Sequence, residues 1–318
     1  MNGISMLIIA VILDFILGDP QNFPHPIRFV GFIIRKYEKL IRSLGMNLKL
    51  GGFILTGLTI ITTTAIITLI LWIGKSINPV VKTILSIYLI YTSLASKCLH
   101  KETKKVYDKA VEVDIEESRK MLSYLVGRDT KSLNMDEIIR GAVETVAENT
   151  IDGVLAPLFY IGIGTYFGIP VHIAYVYKAI NTLDSMVGYT NEKYKDIGFA
   201  SAKLDDMANY LPARLGSILM VVSGVFFKYD VLNGFKVLFR DRRNHKSPNC
   251  GYPESAVAGL LNIQLGGTNT YFGEKIYKPT IGDEVNKLEP KHIIDTIKVM
   301  YGSEILTVAL IICLLKLI

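Results

Sequence analysis

The chain alternates between long uncharged apolar runs and dense polar segments. Residues 52–73 hold no Asp, Glu, Lys or Arg over 22 positions. As a helix, that run is long enough to cross roughly 30 Å of hydrocarbon. Residues 80–96 are apolar apart from Lys82, 154–177 carry no such charge, 211–227 carry only Arg214, and 305–318 only Lys316. A shorter run, 4–18, contains Asp14. It reads as a membrane segment rather than a cleavable signal, because no Lys or Arg precedes Arg28 and no A-x-A site follows it.

This pattern predicts an all-α, multi-pass integral membrane protein with roughly five to seven membrane helices and polar cytoplasmic loops. It is organised as a single membrane-embedded domain over 1–318. Gly162, Gly164, Gly168 and Pro170 interrupt the run 154–177. They predict two shorter helices across 154–186 that return as a broken hairpin, an arrangement tolerated where it is buried in protein or lines a cavity. Pro212 and Arg214 make 211–227 an imperfect span.

Composition agrees with a membrane chain that keeps large polar parts. Half the residues are hydrophobic and 20% are charged, with a net charge of +6; mean hydropathy is +0.35. Lys and Arg number six in 19–51, ten in 97–150 and eleven in 228–303, against one in 74–78. Basic residues mark the cytoplasmic side, so the three long segments are placed there, in the cell membrane. Acids interleave with the bases throughout 101–148, which argues against a nucleic-acid partner. Cys98, Cys250 and Cys313 are odd in number and too scattered for a C-x-x-C pair.

The densest candidate chemistry lies in E-T-V-A-E-N-T-I-D, residues 144–152. Continuous helix would put Glu144, Glu148 and Asp152 on one face, with Asn149 beside them. Like charges at that spacing repel, so the pattern marks either a cation-holding site or a solvated acidic face. Residues 97–125 read as one or two solvated amphipathic helices, with a helix start at Asp114. Arg128 and Asp129 follow in V-G-R-D-T and either reach a phosphate or pair with each other. Near the N-terminus, Asp14, Asp19, His25 and Arg28 flank a loop stiffened by Pro20, Pro24 and Pro26. It suits an anion or a metal, or forms a capped helix end.

Residues 178–194 supply Asn181, Asp184, Asn191 and Glu192. Asp205 and Asn209 then stand four apart, with Asp206 adjacent and Arg214 further along. Hard oxygen ligands of this kind suit Mg²⁺, which binds through one or two carboxylates plus substrate phosphates; helix capping is the other reading. Arg240, Arg242, Arg243, His245 and Lys246 form a compact cationic cluster, followed by Ser247, Asn249 and Glu254. Beyond it, Gly266, Gly267 and Tyr271 lie in L-G-G-T-N-T-Y-F-G-E, where glycines permit close backbone approach to a ligand. The basic cluster and glycine turn suit a phosphoester, or anionic lipid headgroups. No Walker A loop occurs, since Leu69 stands where its first glycine should be. G-x-G-x-x-G opening a helix, G-x-S-x-G and H-E-x-x-H are also absent, and His172 reads as packed or pore-facing.

These blocks, with L-D-F-I-L-G-D-P, H-P-I-R and N-T-L-D-S-M-V-G-Y, run in order from Leu13 to Glu274. Together they resemble the CobD/CbiB family of cobalamin-biosynthesis membrane proteins. One departure is Cys250, where small residues are more usual. The resemblance implies a carbon–nitrogen ligase that joins aminopropanol, or its O-phosphate, to the propionate of adenosylcobyric acid. The product would be adenosylcobinamide or its phosphate, and the reaction would use ATP and Mg²⁺. A carboxylate must be activated by phosphorylation or adenylation before an amine can displace it. Such an enzyme needs metal ligands, phosphate-binding cations and a base.

On that reading Glu144, Glu148, Asp184 and His245 are catalytic candidates, and Asp152, Asp205 and Asp206 are metal ligands. His25, Arg28, Arg128, Asn149, Asn181, Asn191, Arg214, Arg240, Arg242, Lys246, Asn249, Gly266, Gly267 and Tyr271 would bind substrate and phosphates. The partners are these small molecules and membrane lipid, with other corrinoid-pathway membrane proteins as candidates. The alternative is a transporter or carrier for an anionic solute, with a pathway along the broken helices near 162–170. Against it, nearly all the polar density lies outside the apolar runs.

Overall fold

The computed structural model describes residues 2–19, 25–271 and 274–317, with the side chains of 269–276 left aside. Its contacts sort into two compact units, Met1–Ala95 with Pro157–Asn209 and Ile311–Ile318, and Ser96–Ala156 with Tyr210–Leu310.

The first unit is helical. It contains α1 (Gly3–Leu17), α2 (Pro26–Ser43), α3 (Leu48–Ile77) and α4 (Pro79–Tyr91). In the second unit lie α5 (Ser96–Val111), α6 (Ile115–Ser123) and α7 (Met135–Thr150), which runs into a π-helical turn, Ile151–Leu155. The chain re-enters the first unit with α8 (Ala156–Tyr166), α9 (Pro170–Val187) and α10 (Phe199–Ala208). The remaining elements are α11 (Tyr210–Phe227), α12 (Val231–Asp241), α13 (Gly251–Leu261), the strands β1 (Leu265–Tyr271) and β2 (Glu274–Ile281), and α14 (Lys291–Leu317).

Local chemistry explains most boundaries. The His25 imidazole accepts the Ile27 amide, and Pro26 occupies the first turn of α2, where its missing N–H costs nothing. Asn47 caps α3, and Asn78 ends it and then caps α4 ahead of Pro79. Asp114 caps α6 at the expected start. Asn134 and Glu137 form a reciprocal capping box on α7. Pro212 sits in the first turn of α11, so the imperfect span is an uninterrupted helix of 18 residues.

The run 154–177 breaks where expected. α8 ends at Tyr166, Gly168 takes φ +74°, and Pro170 opens α9. Tyr160 on one arm stacks on Tyr177 on the other, with ring centroids 4.9 Å apart, closing the hairpin. Within the first unit Val30, Ile34 and Ile41 of α2 pack with Leu55 of α3, with Ala179, Leu183 and Val187 of α9, and with Ile197. Within the second unit α13 is buried along its whole length.

Four stretches are long and apolar enough to cross a membrane among the described residues: α3, Pro79–Val111, α11 and α14. Thr92–Ala95 interrupt the second of these between α4 and α5. α1 is apolar but shorter, at 15 residues. The protein is a multi-pass helical membrane protein. The one sheet among the described residues, not foreseen from the sequence, is the antiparallel pair β1–β2, whose register slips between Leu265 and Gly267. Gly266 and Gly267, at φ +83° and +82°, make that bulge.

Candidate functional site

The second unit gathers the most chemistry in one place. Glu144, on the inner face of α7, is 2% exposed. Arg128 donates to its Oε2 at 2.6 Å, and the Gly266 amide donates to its Oε1 at 2.9 Å. Arg140, one turn earlier, lies 3.9 Å from Oε1. Burial opposes the charged carboxylate, but Arg128 and Lys278 outweigh it and hold the group below its ordinary range. Glu144 therefore ties the V-G-R-D-T loop and the β1 bulge to α7 through one anion.

One turn on, Glu148 is half-buried and accepts the Cys250 thiol at 3.0 Å. Burial pushes that thiol well above its usual value, and Glu148 and then Asp152 add to the effect. Glu148 contacts Cys250 directly, whereas Asp152 stands in the π turn rather than in regular helix. That turn modifies the simple expectation of one α-helical face, because each of its backbone bonds spans an extra residue. Asn149 is folded back, donating to the Thr145 carbonyl at 2.9 Å.

His245 and Lys278 complete the cluster, with Lys278 Nζ 3.1 Å from His245 Nε2. The Ser247 amide donates to Nδ1 at 3.0 Å. Burial and then Lys278 lower the His245 pKa, against the pull of Glu148 and Glu144. Glu254, on α13 and 2% exposed, is pushed well above the ordinary carboxyl range by burial, and then by Glu144 and Glu148.

The remaining basic residues are less concentrated than their sequence suggests. Arg240 is clamped by Asp241 at 2.7 Å and Asp283 at 2.9 Å. Asp241 also accepts the Gly282 amide at 2.8 Å. Arg242 bonds the Phe239 carbonyl, and Lys246 is exposed. Arg214 lies over the Tyr210 ring at 3.3 Å and the Tyr252 ring at 4.5 Å, and donates to buried Asn249 at 3.3 Å. Gly267 faces Arg140, and the Tyr271 side chain lies outside the described residues.

The first unit holds a separate set. Asp205 is 8% exposed and accepts Asn209 at 3.0 Å and Asn181 at 3.4 Å, while Tyr177 donates to Asn209 at 2.9 Å. Asp206 instead meets exposed Lys203 at 3.2 Å. Asp184 is half-buried near the end of α9, and Asn191 caps a local turn at Tyr194. His25 lies 3.4 Å from Asp19, and Arg28 is exposed beside it; residues 20–24, with Pro20 and Pro24, lie outside the described residues.

Among the described residues no three His, Cys, Asp or Glu side chains converge at metal-binding geometry. Within the first unit Asp205 and Asp206 meet different partners, carboxamides for the one and Lys203 for the other.

Lys278 and Asp241 were not among the residues singled out, and Glu254 was named without a role. Lys278 lies on a strand that the pattern did not reveal. Asp241 is hidden among arginines. Glu254, although noticed, looks like any acid in a helix first turn.

A family model described as CobD/Cbib protein matches residues 7–300. The chain belongs to the CobD/Cbib family. Curated relatives include cobalamin biosynthesis protein CobD of Clostridium tetani, 49% identical over 310 residues and 96% of each chain. The protein of the same name from Clostridium perfringens is 48% identical over 98% of this chain and 99% of its own. Cobalamin biosynthesis protein CbiB of Salmonella paratyphi B is 43% identical over 96% of this chain and 95% of its own. No solved structure matches.

Proposed function

We propose that the protein acts in cobalamin biosynthesis as a carbon–nitrogen ligase. It would join aminopropanol, or its O-phosphate, to the propionate carboxylate of adenosylcobyric acid with ATP as co-substrate. The observation that carries this reading is the convergence of Glu144, Glu148, Glu254, Arg128, His245 and Lys278 in one polar cluster of the second unit. Family membership and the printed names of the relatives supply the pathway.

Amide formation from a carboxylate and an amine requires activation. ATP transfers phosphate or adenylate to the carboxylate, and the amine then displaces phosphate or AMP. In this cluster Lys278 is placed to meet phosphate oxygens. Arg128, fixed by Glu144, supplies a buried guanidinium whose geometry suits a planar or phosphate anion. Glu148 is the base candidate for the attacking ammonium group. Its carboxylate is partly exposed, whereas Glu144 already has both oxygens engaged. Glu144 therefore acts as a positioning residue.

Asp152, one helical turn beyond Glu148, is a hard oxygen donor of the kind Mg²⁺ takes, which leaves the Glu148 carboxylate for the proton. Magnesium there would neutralise charge on the phosphates of ATP. We place this polar cluster at the cytoplasmic face of the cell membrane, where ATP is available.

The test is a turnover assay in nanodiscs with adenosylcobyric acid, aminopropanol phosphate and Mg-ATP, read by mass spectrometry of the corrinoid. ATP-dependent amide product is expected, and Glu148→Gln is expected to lose it by at least about 100-fold with membrane insertion intact. Transport of the corrinoid without product would favour the carrier instead.

A further inference from the structure

Two cavities of the first unit share a wall. One is a groove of about 590 Å³ between α2 and α3, lined by Phe29, Phe32, Ile66, Ile67, Ile70 and Tyr175. The other, about 510 Å³, is lined by Asp19, Arg35, Thr182 and Met186. His25 and Arg28 line both. An apolar trough and a cationic basin thus lie side by side, with one arginine and one imidazole lining both.

The residues around the basin are built for a membrane surface. α2 turns Arg28, Arg35, Lys36 and Lys39 outward, yet leaves Phe29 and Phe32 about half exposed, at 50% and 47%. On the exposed side of α2 the basic residues interleave with the aromatics, Lys36 lying over the Phe32 ring, and a mixed basic and aromatic surface suits the boundary of headgroups and acyl chains. α3, which forms the other wall of the groove, is one of the membrane-crossing stretches.

We propose that this joined cavity is a binding site for one anionic glycerophospholipid. Its phosphate sits between Arg28 and Arg35, and an acyl chain lies in the groove toward Ile70. Arginine at a phosphate gives charge-assisted, forked hydrogen bonds, and the groove removes the chain from competing positions in the bilayer. Among the described lining residues Asp19 is the one acid, and it lies against His25 at 3.4 Å, so that lining is net positive. A zwitterionic headgroup would bring its own cation beside Arg28 and Arg35, which disfavours it. A small phosphoester would leave the groove unfilled. This inference stands apart from the ligase reading, so either can fail without the other.

Native mass spectrometry of the full chain in detergent, titrated with phosphatidylglycerol or phosphatidylcholine, tests it. Phosphatidylglycerol is expected to bind at least about tenfold more tightly. The exposed double variant Arg28→Gln/Arg35→Gln is expected to remove that preference. Ile66→Trp, which fills the groove and leaves the charges, is expected to weaken binding of the lipid. Glycerol 3-phosphate is expected to displace it only poorly. Equal binding of the two lipids, an unchanged preference in the double variant, or displacement by glycerol 3-phosphate at the lipid's own affinity would each overturn the proposal.

Discussion

Two helices carry the same written signature and have opposite fates. In α7 the acids Glu144 and Glu148 stand four apart; in α10 Asp205 is followed four residues later by Asn209, with Asp206 beside it. On paper both are polar faces on short amphipathic helices. In α7 the first acid is bound by a guanidinium and a backbone amide that come from far along the chain. In α10, by contrast, the buried acid meets carboxamides, and its neighbour meets a lysine in solvent. The difference teaches that spacing assigns a face, whereas the charge of the distant partner decides what that face can do. A neutral amide satisfies a carboxylate without fixing a cation nearby, and a buried arginine does both.

The largest expected effect comes from cutting the α7 pair. Arg128→Ala leaves Glu144 buried with one hydrogen-bonded oxygen and only the longer Arg140 contact at 3.9 Å, which should cost about 3–5 kcal/mol. Unfolding in mixed micelles would measure it, and a loss under about 1 kcal/mol would mean that water reaches the carboxylate. In α10, Asp205→Ala should cost less, about 1–3 kcal/mol, because neutral amides lose one acceptor and no charge is stranded. If the two variants prove equally costly, the contrast between the helices is broken.

Much of this was legible beforehand, and the limits were physical. Periodicity placed Glu144 and Glu148 on a common face, and the glycines and Pro170 placed the break between α8 and α9. Local side-chain chemistry marked Asp114 as a helix start. None of these needs information from beyond about one helical turn. Lys278 and Glu254 do, because their roles come from packing against α7 and against the Ser247 turn, over separations that no local pattern encodes. Arg240 shows the converse error. Its neighbours suggested a phosphate cradle, but Asp241 and Asp283 occupy it, so it braces the β2 end instead.

A smaller effect sharpens the α7 side through pH. The His245 value is lowered in the folded protein from its ordinary 6.5, first by burial and then by Lys278. The unfolded chain therefore binds more protons as pH falls below about 6.5. Stability from this group is complete above that point and is lost as pH drops through the lower folded value. His245→Asn should flatten the pH dependence of unfolding in that window, while acid loss from carboxylates persists. No difference between the two proteins would show that solvent reaches the ring. α10 has no histidine, so Asp205→Asn should leave this window unchanged.

The smallest effect belongs to Asp206. Its partner Lys203 is exposed, the pair is three residues apart, and the separation is 3.2 Å. Solvent screens such a pair, and holding a long lysine side chain in one rotamer offsets much of the attraction. Lys203→Ala should therefore change stability by no more than about 1 kcal/mol, and less in high salt. A larger loss would place Asp206 in a low-dielectric setting and make it resemble Glu144 after all. The same substitution also probes function, since a metal held at Asp205 and Asp206 would bind more tightly once the competing ammonium is gone. Mn²⁺ titration followed by electron paramagnetic resonance should then show no new tight site in Lys203→Ala, because Asp205 is already satisfied by Asn181 and Asn209. Such a site, if found, would return the metal to α10 and leave α7 with the phosphates alone.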